Sequence, residues 1–391
     1  MKRLFFTSWL SRRQTTNWAK KRQGLGWLLG GVLFLIVFSL ACQLSSIVIT
    51  PTALGVTAVP PASAPDNSGS APIPNPTQPP QPGSSRANPI PVGETAVTGR
   101  FAVTIIETLR GDAAWQAIHL ANSYNAPAPE GWEYLLVKMR VANQDSGEDK
   151  QYVALNVTGD GRVLHFNFDS GVVSPDPVLE TNLSGGVESE GWEAYRIRQG
   201  EGNLILVVDD QTNYETSPTY MAIDEGASVT VDPSISLALS PTEWGLDRAH
   251  PVPFGQTATG EDWQIIVEDV IDGDQAWEMV LDANQFNDPP PDGWMYLVVK
   301  VRVRYIGLAD GEQTISKNAF SLLTNSGEEL PAPIVVSPEP ELFFDLYAGG
   351  EVEGIIVLQA PAEAKNLTLY FDPPMNQSGV NGRYLSVGQG R

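Results

Sequence analysis

The feature that most constrains this chain is a segment that occurs twice. Residues 88–143 align without a gap on residues 250–305, at an offset of 162 positions, and 22 of the 56 aligned residues are identical. Self-similarity at a fixed offset is typical of tandem duplication. We therefore predict two domains of the same fold. The identical pairs include Trp115 and Trp277, Trp132 and Trp294, Asn122 and Asn284, and Asn125 and Asn287.

Two stretches of the repeated segment alternate with a period of two, as half-buried strands do. In residues 134–141, one face carries Leu135, Val137, Met139 and Val141, and the other carries Tyr134, Leu136, Lys138 and Arg140. The second copy keeps both faces in residues 296–303. We predict that the first face lies in a core and the second lies outside. An earlier strand alternates likewise at Phe101, Val103 and Ile105, which align on Trp263, Ile265 and Val267.

Residues 111–122, between these strands, have helical spacing. Trp115 and Ile118 are three residues apart, and the second copy places apolar residues in the same way. We predict a short helix in each copy, with Asp112 and Asp274 as amino-terminal caps and Asn122 and Asn284 at the end. The tryptophans of these helices, Trp115 and Trp277, are predicted to plug the core of each domain.

The latter halves of the copies align with small gaps, and Gly/Pro/Asn/Asp turns divide each unit into about seven short strands. This pattern favours an antiparallel sandwich. The predicted fold class is all-β: two tandem immunoglobulin-like antiparallel β-sandwiches, each with one short helical insert, plus an amino-terminal apolar helix. The first sandwich is predicted over residues 88–232 and the second over 250–391, with an interdomain connection at 233–249.

Residues 1–42 have the pattern of an export signal or a membrane anchor. The first 22 residues include seven basic and no acidic side chains, and an uncharged apolar run follows at 24–41. The sequence preceding Cys42 is similar to the lipobox of bacterial lipoproteins, in which a cysteine is lipidated after cleavage. Eighteen apolar residues are also close to the ~20 that span a bilayer, so an uncleaved anchor is the alternative. Both readings predict membrane attachment, with the carboxy-terminal domains on the extracytoplasmic side.

Residues 43–87 are predicted to be a disordered linker rich in proline, serine and threonine. Ten prolines fall between residues 51 and 87. Proline lacks the N–H group that helices and sheets need. A partly polyproline-II tether of this length would reach on the order of 100 Å.

The charge balance excludes one class of partner. Seven Lys/Arg and no acidic residue precede Cys42, which leaves 17 basic against 46 acidic residues in the rest of the chain. A surface this acidic repels nucleic acid. The single cysteine excludes an intramolecular disulfide, and the Cys/His spacings of metal sites are absent. No cofactor is predicted.

Several motifs shared by the two units resemble a known family. In each unit, a strand begins with the motif Gly-Trp-x-Tyr-Leu. The strand continues with a hydrophobic residue and then Val-Lys-x-Arg-Val. The first unit also has glycines at 185, 186 and 191. These motifs are similar to the bacterial extracellular immunoglobulin-like domains of unknown function that are grouped with the immunoprotective extracellular antigen fold. The resemblance implies export, anchoring and a β-sandwich, and it carries no catalytic residue to this chain.

Candidate site residues come from the aligned tryptophans and asparagines. Trp132 and Trp294 follow a glycine at a strand entrance, where an exposed indole would stack on a sugar ring, although packing at the edge of the core is the alternative. Asn122, Asn125, Asn284 and Asn287 are predicted to line a ligand groove beside the proline loop, or to cap a helix end. Asp269, Asp272 and Asp274 form an oxygen-rich stretch that could bind calcium, but the first copy has an arginine at the position of Asp272.

These observations predict a protein that is not an enzyme. None of the three histidines is duplicated, and no nucleophile motif or phosphate loop is present. The predicted function is a membrane-anchored, non-catalytic interaction or ligand-binding module of the cell envelope, whose partner is an envelope protein or glycan. The alternatives are a purely structural spacer and a carbohydrate-active hydrolase. An exposed aromatic patch at the same place on both units would favour binding.

Overall fold

The computed structural model describes residues 81–388, except for 214, 238, 309–310 and 374–378. The described residues belong to one compact unit. The predicted export signal or anchor, its apolar helix and Cys42 lie outside them, as do residues 43–80 of the predicted linker. In the part of the chain that is described, no helix combines the length and the apolar character needed to span a membrane.

The first half of the described chain is a sandwich of two antiparallel sheets. Its strands are β1 (Thr95–Thr98), β2 (Phe101–Arg110), β3 (Trp132–Asn143), β4 (Gln151–Thr158), β5 (Val163–Leu164), β6 (Asn182–Leu183), β7 (Glu188–Arg198), β8 (Ile205–Asp210) and β9 (Thr219–Ala222). One sheet has the order β1-β2-β3-β7 and the other has the order β6-β4-β8-β9. Helix α1 (Asp112–Ala121) connects β2 to β3.

The second half repeats this plan. Its strands are β10 (Ala258–Thr259), β11 (Trp263–Asp272), β12 (Trp294–Tyr305), β13 (Gln313–Ser316), β14 (Phe320–Leu323), β15 (Phe343–Leu346), β16 (Glu351–Pro361), β17 (Thr368–Phe371) and β18 (Arg383–Ser386). The sheet β10-β11-β12-β16 has the same order as its counterpart, and the sheet β14-β17-β18 faces it. Helix α3 (Gly273–Ala283) takes the place of α1, and a one-turn helix, α2 (Ser234–Leu237), lies in the connection. The predicted all-β sandwich fold, with one helical insert in each half, is confirmed.

The alternating strands place one row of side chains in each core, as predicted. In the first sandwich, Leu135, Val137, Met139 and Val141 of β3 are buried against residues of the opposite sheet such as Leu155 and Leu206. In the second sandwich, Leu297, Val299, Val301 and Val303 of β12 occupy the same positions. A period of two is therefore enough to place these side chains.

The prediction for the outer face of β3 is wrong at its first residues. Tyr134 and Leu136 are buried because α1 packs on the outside of the sheet, where Ala114 and Ile118 cover them. In the second sandwich, Ala276 and Val280 of α3 cover Tyr296 and Val298 in the same way. The prediction that Trp115 and Trp277 plug the sandwich cores is also wrong, since both are partly buried at these outer clusters.

The helix starts differ from the prediction as well. Asp112 and Asp274 lie in the first turns of their helices, while Gly111 and Asp272 occupy the cap positions without a side-chain capping bond. Gly111 has φ 57° and ψ −128°, a conformation that is open to glycine but strained for other residues. The predicted ends are confirmed, because Asn122 and Asn284 are the carboxy-terminal caps.

A small sheet joins the two sandwiches. Strand β5 of the first sandwich pairs with β15 of the second, with Leu164 opposite Asp345 and Val163 opposite Leu346. β15 in turn pairs with β13, so the three strands form one sheet in the order β13-β15-β5. Val163 is buried in the core of the second sandwich. The two sandwiches are thus joined by main-chain hydrogen bonds as well as by the connecting chain.

The last residues of the predicted linker also pack at this junction. Arg86 is buried, and its Cζ lies 3.7 Å from the centre of the Tyr347 ring. Tyr347 belongs to the second sandwich but is buried among residues of the first, such as Ile205 and Val229. The backbone N–H of Val229 donates to the carbonyl of Arg86 at 2.9 Å. Residues on both sides of the junction therefore share this cluster.

Candidate functional site

In each sandwich, the side-chain amide of one asparagine joins the loop after the helix to a distant segment by hydrogen bonds. We call this arrangement the asparagine clip. The Nδ2 of Asn125 donates to the carbonyls of Ile118 and Val173, both at 2.9 Å, and its Oδ1 accepts the N–H of Val173 at 2.9 Å. Asn287 does the same in the second sandwich, donating to Val280 at 2.7 Å and exchanging two 2.9 Å bonds with Val336. Each side-chain amide thus ties a helix end to the segment before β6 or β15.

Asn122 and Asn284 shape the turn that precedes each clip. The Oδ1 of Asn122 accepts the N–H of Tyr124 at 3.0 Å, and the Oδ1 of Asn284 accepts the N–H of Phe286 at 3.0 Å. Such bonds from a side chain to the backbone two residues on stabilise tight turns. All four predicted asparagines therefore use their side chains to satisfy loop backbone, and their role as ligand contacts stays a prediction.

The proline loop that follows is fixed in the same way in both sandwiches. The hydroxyl of Tyr134 donates to the carbonyl of Ala126, and the hydroxyl of Tyr296 donates to the carbonyl of Asp288, both at 3.0 Å. These bonds and the clips hold each loop at both ends. We expect the loop tips to be well ordered, because few of their conformations keep all of these bonds.

The two loops present an exposed aromatic ring at the same place on each sandwich. Tyr124 is 94% exposed and Phe286 is 83% exposed, although each lies directly before a clipping asparagine. The clipped valines, Val173 and Val336, are about half exposed beside them. Sequence reasoning missed Tyr124 and Phe286 because they are not identical. The signal that could have found them is that both copies have an aromatic residue at this position, between two aligned asparagines.

The two candidate tryptophans differ in their surroundings. Both side chains are partly buried, and the backbone N–H of each tryptophan donates to a proline carbonyl of its loop. Trp132 lines a groove of about 380 Å³ between the two sandwiches. Trp294 is not among the residues that line this groove. The structure therefore separates two residues that the sequence alignment treats as equivalent.

The junction groove is built from both sandwiches. The first contributes Pro129, Glu130, Trp132, Asp169 and Arg196. The second contributes Glu339, Pro340, Glu341, Phe343 and Phe344. Its walls thus combine three aromatic rings with four carboxyl groups and one guanidinium.

The charges of the groove are unevenly paired. Glu341 accepts bonds from Lys317 at 2.6 Å and from Ser337 at 3.1 Å. Burial raises the pKa of the Asp169 carboxyl above its ordinary value, against the attraction of Arg196. Arg196 lies with its Cζ 5.6 Å from the centre of the Trp132 ring. The groove is therefore acidic overall, with its one guanidinium placed over an aromatic ring.

A buried, hydrogen-bonded histidine–glutamate pair lies behind Trp132. The Nε2 of His165 lies 2.9 Å from Oε2 of Glu201, and both side chains are almost fully buried. Burial by itself raises the pKa of Glu201, but the hydrogen bond and charge of His165 lower it below the ordinary value of 4.5. The His165 ring meets the Trp132 ring edge-on at 6.1 Å between centres. This pair therefore positions Trp132 from inside the first sandwich.

Potential metal ligands are not clustered in the described residues. Within residues 81–388 and outside the gaps given above, no group of three or more His, Cys, Asp or Glu side chains could hold a metal ion. In the aspartate-rich stretch considered for calcium, the Oδ1 of Asp269 accepts the neighbouring N–H of Val270 at 2.9 Å. This part of the chain therefore offers no assembled metal centre.

Comparison with known proteins finds similarity over part of the chain. Residues 252–381, about a third of the chain, match the model of a family described as Domain of unknown function (DUF4352). This match covers most of the second sandwich and agrees with the resemblance to an extracellular domain of unknown function. No curated protein matches the chain.

Two solved structures from Bacillus subtilis are similar to this chain at a low level. A proposed lipoprotein, ycdA, is 14% identical, with a TM-score of 0.25 over 33% of this chain and 37% of that one. The yjhA protein is 14% identical, with a TM-score of 0.26 over 34% of this chain and 98% of that one. This chain thus spans well under two thirds of the length of ycdA.

Proposed function

We propose that this protein is a non-catalytic binding module of the cell envelope that engages its partner through the exposed rings of Tyr124 and Phe286. The supporting observation is that both sandwiches present an aromatic ring at the same loop position, although the two rings differ in identity. Single exposed apolar residues are common on protein surfaces. Two at equivalent positions, each on a loop held by the same asparagine bonds, are better explained by a shared binding role.

The energetics of the rings are consistent with this role. Burying a phenylalanine-sized side chain contributes about 1.5–3 kcal/mol. Aromatic rings on ordered loops lose little conformational entropy on binding, which is one reason that tyrosine is common among the residues that dominate interfaces. The asparagine clips would thus keep the rings ready for a partner.

The cellular location is part of the same proposal. The basic and apolar residues 1–41 and Cys42 support export and attachment to the membrane, and the proline-rich linker would hold the sandwiches away from the bilayer. The mass of the mature protein from membranes, compared with a Cys42→Ala variant, tests this. A diacylated Cys42 at the new amino terminus would establish a lipoprotein, whereas an intact Met1 in both proteins would indicate a spanning anchor.

The binding role can be tested with full-length protein and envelope fractions. We expect the wild-type protein to retain a partner, either an envelope protein or purified cell-wall glycan. The Tyr124→Ser/Phe286→Ser double variant should retain at most about one tenth of that amount. Trp244→Ser is the matched control, because Trp244 is 59% exposed but has no counterpart in the other sandwich. Equal retention by the double variant would contradict the proposal.

A structural spacer is the second candidate, and the β13-β15-β5 sheet is the observation that favours it. A sheet shared between the sandwiches limits their relative rotation, as a spacer requires. A spacer needs no exposed aromatic ring. If neither fraction binds the wild-type protein, and shortening the linker alone impairs function in cells, the spacer is the better description.

A further inference from the structure

The groove between the sandwiches has a composition that favours one chemical class of ligand. We propose that it binds an organic cation, meaning an ammonium or guanidinium group carried on an apolar stem. This inference does not depend on the rings of Tyr124 and Phe286, which are not among the residues that line the groove. It depends on the fixed geometry of the junction, on the unpaired carboxylates of the groove and on its aromatic walls.

The geometry is fixed because both walls are tied to the junction sheet. Phe343 and Phe344 lie on β15, which pairs with β5 of the first sandwich. The N–H of Tyr347 donates to the carbonyl of Arg162 at 2.9 Å, and Arg198 donates to the carbonyl of Glu351 at 2.5 Å. A ligand would therefore meet a formed groove and would not have to draw two loose domains together.

Two of the four carboxylates of the groove have no cationic partner. Glu130 of the first sandwich and Glu339 of the second make no side-chain hydrogen bond or ion pair among the described residues. Glu341 already has Lys317 as its partner. Arg196 is the only basic residue that lines the groove in the described part of the chain. Two exposed carboxylates without partners, one from each sandwich, complement a positively charged ligand and disfavour an anionic one.

The aromatic walls suit the same ligand. Phe343 is half exposed on an ordered strand, and Trp132 and Phe344 are partly buried beside it. Aromatic faces attract ammonium and guanidinium groups and also cover the apolar stems that carry them. The position of Arg196 over Trp132 shows that one of these rings already packs against a guanidinium. A neutral sugar would stack on the rings and donate hydroxyl hydrogen bonds to the carboxylates, but unlike a cation it would leave their negative charge uncompensated.

The repeated sequence offers matched controls, because the counterparts of the groove residues in the other copy do not line this groove. Arg196 lies opposite Tyr134 in the pairing of β3 with β7, whereas Gln359 lies opposite Tyr296 in the pairing of β12 with β16. By the sequence alignment, Asp292 corresponds to Glu130 and Asp176 corresponds to Glu339. Substitutions at these counterparts change the same kind of residue outside the groove.

The experiment is calorimetric titration of the full-length protein with spermidine, with a trilysine peptide and with neutral cellotriose. We expect one equivalent of spermidine or trilysine to bind, more weakly as salt is raised. The Glu130→Gln/Glu339→Gln variant should bind about tenfold more weakly, since it removes two charges from the site. The Asp292→Asn/Asp176→Asn variant should bind like wild type. Binding of spermidine alone would indicate a free polyamine, and binding of the peptide alone would indicate a polypeptide segment.

Three results would overturn the proposal. The first is no binding of either cation at millimolar concentration to protein whose circular dichroism is native. The second is equal weakening by the groove variant and the control variant, which would indicate attraction to the acidic surface in general. The third is binding of cellotriose without binding of either cation. Trp132→Ala and Trp294→Ala give an independent check, because only the former should weaken the binding of spermidine.

Discussion

Replacing Asn125 with alanine should lower the free energy of unfolding by about 2–3 kcal/mol. The substitution removes three hydrogen bonds, two to Val173 and one to the carbonyl of Ile118. Each net hydrogen bond contributes about 0.5–1.5 kcal/mol. The Ile118 carbonyl still accepts a hydrogen bond from the backbone N–H of Asn122 at 3.1 Å, so this carbonyl does not become unpaired. Asn125 is 8% exposed, which limits how far water can replace the other bonds.

The counterpart substitution separates the effect of burial from that of bond number. Asn287 makes the same three bonds, but its two bonds to Val336 are exposed to water. Water can replace exposed bonds at little loss, so Asn287→Ala should lower the free energy of unfolding by only about 1–2 kcal/mol. Both substitutions replace the same residue type with the same pattern of bonds, so a difference between their effects reports the difference in burial.

Urea unfolding of the full-length protein, followed by tryptophan fluorescence and circular dichroism, measures both effects. Asn325→Ala is the control, because Asn325 is exposed and makes no side-chain hydrogen bond among the described residues. It should change the free energy of unfolding by less than about 0.5 kcal/mol. If Asn125→Ala matches this control, or if Asn287→Ala has the larger effect, the clips do not stabilise the loops as described.

Three further predictions concern the core, the turns and pH. Ile118→Ala should lower the free energy of unfolding by about 2–4 kcal/mol in urea, because it empties the fully buried centre of the outer cluster under α1. Gly191→Ala should lower it by more than about 3 kcal/mol, since its Cβ would lie 2.5 Å from backbone atoms, whereas Gly147→Ala meets no atom within 4 Å and should be nearly neutral. Burial opposes ionisation of Glu201, yet His165 holds its pKa below 4.5, so this carboxylate contributes stability that is present above pH 4.5 and lost as pH falls through the folded-state pKa. In thermal melts between pH 7 and pH 3, Glu201→Gln should therefore lose less stability than wild type, and a parallel loss in both proteins would contradict this.

Much of the fold could be predicted from the sequence because it depends on local periodicity. Alternation places Leu135 and Val137 in the core of the first sandwich, and the asparagine after each helix marks its end. The same reasoning fails for Tyr134 and Leu136. Their burial depends on the packing of α1 against the outside of the sheet, and this is a tertiary contact that the strand pattern alone does not encode.

The candidate site shows the same limit. Identity between the copies directed attention to Asn125 and Asn287, whose amides prove to hold the loop backbone, and passed over Tyr124 and Phe286, where the copies differ. The groove at Trp132 depends on strand β15, which is more than 200 residues away in the sequence. A groove between two domains can be found only when their relative position is known.

The junction sheet limits how this protein can change in evolution. Similar domains in one chain are usually modular, so either can be lost, multiplied or exchanged between proteins. Here, Val163 of the first sandwich completes the core of the second, and Tyr347 of the second is buried in the first. Neither half carries all of its own interior. A separated sandwich would expose apolar residues and an unpaired strand edge, so we expect the pair to be inherited and rearranged as a single unit.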